Sequence, residues 1–243
     1  MRLKTTGSIA AMALIIACAP VIAQSPPPGT PGPDGKPLKD NSNPCREEVA
    51  TALKKLRSAS WFRMVTSMIT EKGPVSMDIA YVLPDKMHQK VTEALTKQTS
   101  EIVLVGNEAW GNDGKGWQVL PQDLTQQLKS QLYDNVIAEQ TDVGNYSCKG
   151  KVQIEGRDVL AYKLEDEPAR ESTAPKNETF RMFYVDATTG MPVSNALLAP
   201  GRENTPMFKA SYSYPVEIRI EAPKDVVSAP EIAPEQAAPD KKN

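Results

Sequence analysis

Few residues of this chain have the type and spacing that covalent chemistry requires. His88 is the only histidine, no Gly-x-Ser-x-Gly sequence occurs, and the acidic residues are scattered rather than paired. A catalytic site needs a positioned nucleophile, base or metal. The stretch 112–116 has two glycines and a lysine, but it lacks the spacing of a phosphate loop and favours a tight turn. The sequence therefore predicts a protein that is not an enzyme and that uses no cofactor or metal.

Cysteine is the other reactive residue type, and the chain has three of them: Cys18, Cys45 and Cys148. Isolated cysteines and one histidine cannot supply the closely spaced ligands of a zinc site. In an oxidising compartment the pair Cys45 and Cys148 predicts a disulfide. The alternative is that both are buried free thiols.

The N-terminus has the parts of a secretory signal. Two basic residues precede the apolar run Ile9–Ala17, which is shorter than the roughly 20 residues of a membrane span. Cleavage after Ala23 would release the protein. Alternatively, Ile15–Cys18 resembles a lipobox, and a lipid on Cys18 would tether the chain to a membrane. We expect an exported protein of the bacterial periplasm, with an outer-membrane lipoprotein as the alternative.

Composition divides the chain into four parts: a signal peptide (1–23), a Pro/Gly-rich linker (24–44), a folded domain (45–223) and a Pro/Ala/Glu-rich tail (224–243). The linker and tail have almost no large apolar side chains, so they cannot offset the entropy cost of ordering, and we predict that both are disordered. The chain has 28 basic and 30 acidic residues and no basic stripe. Nucleic acid is therefore not an expected partner.

Strand patterns dominate the folded part, and short turn sequences separate them, which predicts an antiparallel meander. The predicted strands are 61–70, 75–83, 86–91, 101–110, 116–120, 149–155, 159–165, 180–186, 193–199, 207–214 and 216–221. Two amphipathic helices are predicted, Cys45–Ser58 and Pro121–Glu139. The second has an apolar residue at every fourth position.

Several predicted strands are apolar on both faces, which favours a sheet that curls around an apolar interior. In Trp61–Ile69, for example, Trp61, Val65 and Ile69 share one face, and Phe62, Met64 and Met68 share the other. We interpret these strands and the second helix as ordinary core or as the lining of an acyl-chain cavity. The candidate lining and lid residues are Phe62, Met64, Met68, Met77, Ile79, Tyr81, Leu124, Leu128, Leu132 and Val136.

Four local sequences resemble the LolA/LolB-like family of periplasmic lipoprotein carriers and their lipid-binding relatives. They are the strand–Pro–turn–strand hairpin Met77–Met87, the hairpin Ile102–Trp117, the Asp-turn-Gly-x-Pro hairpin Tyr184–Val193, and Tyr212-Ser213-Tyr214 with Glu221-Ala222-Pro223. The resemblance covers most of Arg46–Pro223. The cysteine pair, the linker and the tail depart from the family's general pattern, and its receptor-delivery residues have no clear counterparts here.

The resemblance implies an α+β, mainly β fold, in which a curved antiparallel sheet forms an unclosed β-barrel with helices as a lid. It also implies a non-enzymatic envelope protein that binds an apolar ligand, such as a lipid or a lipoprotein acyl chain, and that makes peripheral membrane contact. The alternative is an envelope interaction or structural protein that has the same fold with a filled core.

Overall fold

The computed structural model describes residues 43–71, 73–140, 142–165 and 179–227. The predicted signal peptide, Cys18, the linker up to residue 42 and the tail beyond residue 227 lie outside these residues and stay predictions. The described elements are α1 (Pro44–Ser58), β1 (Trp61–Thr70), β2 (Gly73–Val82), β3 (Lys86–Glu93), β4 (Thr99–Val105), β5 (Glu108–Asn112), β6 (Gln118–Val119), α2 (Gln122–Leu132), a π-helical turn (Tyr133–Ile137), β7 (Tyr146–Ile154), β8 (Arg157–Leu164), β9 (Phe180–Asp186), β10 (Pro192–Leu198) and β11 (Phe208–Ser213).

Within the described residues, eleven strands form one antiparallel sheet in the order β6-β5-β4-β3-β2-β1-β11-β10-β9-β8-β7. The first and last strands pair in the middle of the sheet, so it consists of two meanders, β1–β6 and β7–β11. Its edge strands, β6 and β7, are consecutive in sequence and are joined by α2 and the π turn. The connection between the two edges therefore carries the second helix. The predicted fold class, an unclosed antiparallel barrel covered by helices, is confirmed.

Both helices cover the same, concave face of the sheet. Val49 and Ala52 of α1 pack against β8 and β9, whereas Leu128 and Leu132 of α2 pack against the β1–β5 half. Each helix buries one apolar stripe, as the amphipathic pattern predicts. The concave face therefore has two covered regions, one under each helix.

Helix α1 is held firmly at its N-terminus. The Asn43 side chain accepts hydrogen bonds from the backbone N–H groups of Cys45 (3.0 Å) and Arg46 (3.3 Å), as an N-cap does. Its amide nitrogen also donates to the carbonyl oxygen of Tyr146 at 2.7 Å. Cys45 and Cys148 form the predicted disulfide, with their Cα atoms 5.4 Å apart. Helix α1 is thus fixed to β7 by covalent and polar contacts.

The second helix differs from its prediction of Pro121–Glu139. The α-helix ends at Leu132, and a π turn follows, in which the N–H of Ala138 donates to the carbonyl oxygen of Tyr133 at 2.7 Å. The wider π turn brings both Val136 and Ile137 against the core cluster. A strict four-residue repeat would have placed Val136 alone there.

Two strand predictions were wrong. The run 101–110 is two strands, because Gly106, with φ of 62°, and Asn107 form a tight turn inside it. The run 216–221 is not a strand. It crosses the convex face of the sheet, where Ile218 and Ile220 pack near Val103 and Trp110. The predicted strand 116–120 is reduced to Gln118–Val119.

The convex face is covered only in part. Val65 and Ile69 are 38% and 64% exposed, so the convex side of β1 is largely open. Polar pairs stand beside them: the Arg63 guanidinium binds the Asp78 carboxylate through two hydrogen bonds. The interior under the two helices therefore lies on the concave face, and smaller apolar clusters around Met182 and around Trp110 are buried on the convex face.

Candidate functional site

Most of the candidate residues meet in one apolar cluster under α2. Phe62, Ile79, Tyr81 and Leu132 are buried in it, and further candidates pack against its edge: Met64, Met77, Leu128 and Val136. Alternation along β1 and β2 brings this about, because every second side chain points to the concave face. Their role as ligand lining remains a proposal.

Two candidates lie elsewhere. Leu124, in the first turn of α2, is half-buried but is not part of this cluster. Met68, near the end of β1, lines a separate cavity of about 170 Å³ with Val75, Pro74 and Pro206. The lining of this second cavity also includes Ser67, Ile69 and Ser76 of the convex side, so the cavity lies at the end of the sheet and does not continue the lining under α2.

The larger cavity, of about 230 Å³, lies between α2 and one end of the sheet. Its helix side is Leu132, Tyr133 and Ile137, so the π turn forms much of the wall. The opposite wall is formed by the β2–β3 and β4–β5 turns with Leu104. Sequence analysis found Leu132 but missed the remaining lining residues: Pro84, Asp85, Leu104, Gly106, Lys129, Tyr133 and Ile137. The adjacent apolar pair Val136-Ile137, which breaks the four-residue repeat, is the signal that could have indicated this wall.

Helix α2 has few polar attachments. Among the described residues no side chain caps its N-terminus at Pro121. The hydroxyl of Thr125 donates to the Pro121 carbonyl at 3.1 Å, within the same segment. The Lys129 ammonium donates to the Asn107 side chain in the β4–β5 turn. Packing of one apolar stripe therefore contributes most of what holds α2 on the sheet.

Burial affects two ionisable groups of the helix-covered face. The rings of Phe62 and Tyr81 stack with centroids 4.8 Å apart, and burial raises the pKa of the Tyr81 phenol well above its ordinary value. Half-buried Arg57, at the end of α1, has a lowered pKa because burial disfavours its charge, although nearby Glu139 opposes the shift. Burial thus disfavours the charged forms of these two residues.

The histidine is placed away from the cavity, whose lining includes two charged residues, Asp85 and Lys129. His88 lies on the convex face of β3, where its Nε2 is 2.9 Å from Glu101 Oε2. Within the described ranges, no group of three His, Cys, Asp or Glu side chains is arranged to hold a metal ion. No helix in that part of the chain is long and apolar enough to cross a membrane.

Comparison with known proteins gives similarities of fold only. No protein-family model and no curated protein matches the chain. Solved structures do match. LprF from Mycobacterium bovis has a TM-score of 0.48 at 12% identity and covers 80% of this chain and 99% of its own. The lipoprotein LppX from Mycobacterium tuberculosis has a TM-score of 0.47 at 11% identity, with 74% and 100% covered.

A LolA superfamily protein from Nitrosomonas europaea also matches, with a TM-score of 0.26 at 13% identity, covering 70% of this chain and 91% of its own. The predicted resemblance to the LolA/LolB-like family is confirmed as a remote likeness of fold and no more. The activity of this chain therefore has to be argued from its own geometry.

Proposed function

We propose that the domain is a non-enzymatic binding protein for an apolar ligand, a lipid or the acyl chain of a lipoprotein. The ligand would lie between α2 and the concave face of the sheet. The observation that carries this proposal is the 230 Å³ apolar cavity whose wall is the π turn at the end of a weakly attached helix.

The size of the cavity gives α2 its role. Ligand pockets typically measure about 300–1,000 Å³, so an acyl chain enters this space only if its wall moves outward. The sheet cannot supply that movement without breaking ladder hydrogen bonds. Helix α2 can, because its polar attachments are few and its π turn is already irregular. We therefore assign α2 the role of lid.

Burial of the ligand supplies the driving force. Each methylene group removed from water contributes about 0.8 kcal/mol, and part of this offsets the cost of displacing Leu132 and Ile137 from their contacts. The flexible side chains of Met64 and Met77 at the cluster's edge can adapt to chains of different shape.

A second candidate function is an interaction or structural protein with a filled core. Tight packing favours it: Leu104 is fully buried and Leu132 is only 4% exposed. In that case the cavity is a packing defect and α2 a permanent part of the core.

A cavity-filling variant separates the two functions. Ile137→Trp places a large apolar side chain in the cavity wall without adding charge. Val216→Trp is its matched control, because Val216 is 96% exposed and is not one of the residues that line the cavity. We expect the wild type and Val216→Trp to bind a fluorescent fatty-acyl probe, and Ile137→Trp to bind it at least about tenfold more weakly. Circular dichroism on the same samples verifies that each variant is folded.

If the folded wild type binds no apolar probe, the proposal is contradicted. The second candidate function, a structural or interaction protein with a filled core, then remains. Equal binding by Ile137→Trp and the wild type places the ligand elsewhere. Lipid mass spectrometry on natively purified protein would then identify the natural ligand.

Export and anchoring belong to the same proposal. The Cys45–Cys148 disulfide supports an oxidising compartment, for which we propose the bacterial periplasm. If cleavage follows Ala23, Cys18→Ser leaves the protein's distribution between soluble and membrane fractions unchanged. If Cys18 is lipidated, that substitution releases the protein from membranes. We expect the first result.

A further inference from the structure

Two polar side chains sit unpaired in the middle of the apolar concave face. Thr66 of β1 and Asn195 of β10 both pair in register with Ala210 of β11, so the three residues form one row across the central strands. Thr66 is 2% exposed. Its Oγ1 and the Oδ1 of Asn195 are buried and have no hydrogen-bond partner among the described residues. We name these three residues the polar row.

An unpaired polar row is costly for a structural core. A buried hydroxyl or carbonyl oxygen without a partner loses the hydrogen bonds that water would give it. The fold satisfies such a group elsewhere: Thr125 is 3% exposed, and its hydroxyl donates to the Pro121 carbonyl. Valine has nearly the shape of threonine and would fill the place of Thr66 without an unpaired hydroxyl. The row therefore points to a partner that comes from outside the chain.

The position of the row fits a ligand that lies along the concave face. Met64, two residues before Thr66 and on the same face of β1, packs on the cluster under α2. Asn195 pairs with Phe183, which belongs to the cluster under α1. The polar row thus lies between the apolar cluster under α2 and the apolar cluster under α1, and it belongs to neither of them.

The free atoms define the chemistry of the partner. Asn195 Oδ1 can only accept a hydrogen bond, whereas the Thr66 hydroxyl can donate one. Their Cα atoms are two strand spacings apart, about 9–10 Å, and the small Ala210 side chain stands between them. A group that both donates and accepts would satisfy both atoms, and amides and hydroxyls have this property. An ester accepts only, and a hydrocarbon does neither.

We infer that the polar row binds the neutral amide or hydroxyl group of an amphiphile whose acyl chain occupies the apolar regions beside it. This inference rests on the proposed function, because it names the polar part of the same ligand. Since Thr66 is almost fully buried, the group reaches the row only when the cover over the concave face opens.

Competition against the fluorescent acyl probe tests the inference with three ligands of equal acyl length: an N-methylamide, a fatty alcohol and a methyl ester. We expect the wild type to bind the amide or the alcohol at least about tenfold more tightly than the ester, and the tighter of the two identifies the source of the group. In Thr66→Val this preference disappears while ester binding stays. Asn195→Leu should behave in the same way. Thr92→Val, which changes a threonine on the convex face opposite Ser76, is the control that keeps the preference.

The outcomes distinguish failure of the inferred polar-row site from failure of the proposed acyl-chain binding. If the wild type binds amide, alcohol and ester equally, the inference that the polar row binds the ligand is wrong. The proposed acyl-chain site is not affected by that result. Failure of all three ligands to displace the probe, or of the probe to bind, overturns the proposed function as well. Thermal unfolding adds a ligand-free readout: Thr66→Val should raise the Tm. A lowered Tm would show that the hydroxyl has a stabilising partner within the fold and would contradict the inference.

Discussion

The two helices cover the same sheet in different ways. Helix α1 has a side-chain cap, a disulfide to β7 and a hydrogen bond of 2.5 Å from the Tyr162 hydroxyl to Glu48. Helix α2 has no side-chain cap within the described ranges, ends in a π turn and borders the larger cavity. Both present an amphipathic stripe, so hydrophobic pattern alone does not distinguish them.

This difference indicates that α1 is a fixed cover and α2 a movable one. A cover that is tied by covalent and polar bonds keeps one half of the concave face closed. A helix that is held mainly by apolar contacts can replace them with contacts to an apolar ligand. The net cost in free energy is small, because one buried apolar surface replaces another. Regions that open locally have few such fixed bonds, and α2 fits that description.

The largest expected effect comes from the fixed helix. The double variant Cys45→Ala/Cys148→Ala removes a crosslink between residues 103 apart in sequence, and the free energy of unfolding should fall by about 4–5 kcal/mol. Urea unfolding of wild type and variant measures this. A loss below about 1 kcal/mol would mean that the crosslink contributes little and that α1 is not the fixed cover described here.

Capping should show the same asymmetry on a smaller scale. Asn43→Ala removes the cap of α1 and the hydrogen bond to Tyr146, so we expect a loss of about 1–2 kcal/mol. Pro121→Ala, at the corresponding position of α2, should cost about 0.5 kcal/mol, through backbone entropy rather than capping. Chemical denaturation of both variants provides the test, and equal losses would remove the distinction between the two N-termini.

The smallest effect concerns pH and the sheet beneath α2. The hydrogen bond from Arg63, opposed by burial, lowers the pKa of the Asp78 carboxyl. The folded state then binds protons less readily than the unfolded state, so this pair stabilises the fold above about pH 4 and stops doing so as the pH falls further. Because the pair is partly exposed, the gain is about 0.2–1 kcal/mol.

Asp78→Asn should therefore lower stability slightly at pH 7 and match the wild type in acid, without changing probe binding. Unfolding curves at several pH values measure the first effect and probe titration the second. Weakened binding in this variant would mean that the convex side of the sheet, and not α2 alone, controls access to the cavity.

Local signals made much of the fold predictable. Turn sequences such as Pro84-Asp85 and Asp186–Gly190 marked hairpins that the structure contains, because Gly, Pro and Asp fix turn geometry within a few residues. The disulfide followed from an even cysteine pair. The apolar cluster under α2 followed from the alternation of side chains along β1 and β2 and from the four-residue apolar repeat of the helix.

The missed features depend on contacts that sequence does not display. Ile218 and Ile220 alternate as in a strand, yet they cover the convex face, and Pro215 at the start of this segment lacks the N–H that a ladder needs. The four-residue apolar repeat predicts a continuous α-helix and does not indicate where a π turn replaces it. The polar row arises only from the register of β1, β11 and β10, which places Thr66 beside residues more than a hundred positions further along the chain.

Amide hydrogen exchange measured by mass spectrometry, with and without a saturating acyl probe, tests the central claim that α2 is a movable lid over an apolar site. In the ligand-free protein, amides of α2 and the π turn should exchange faster than those of α1. The probe should slow exchange in α2 and leave α1 unchanged. Equal protection of the two helices, together with no response of α2 to a probe that demonstrably binds, would contradict the account.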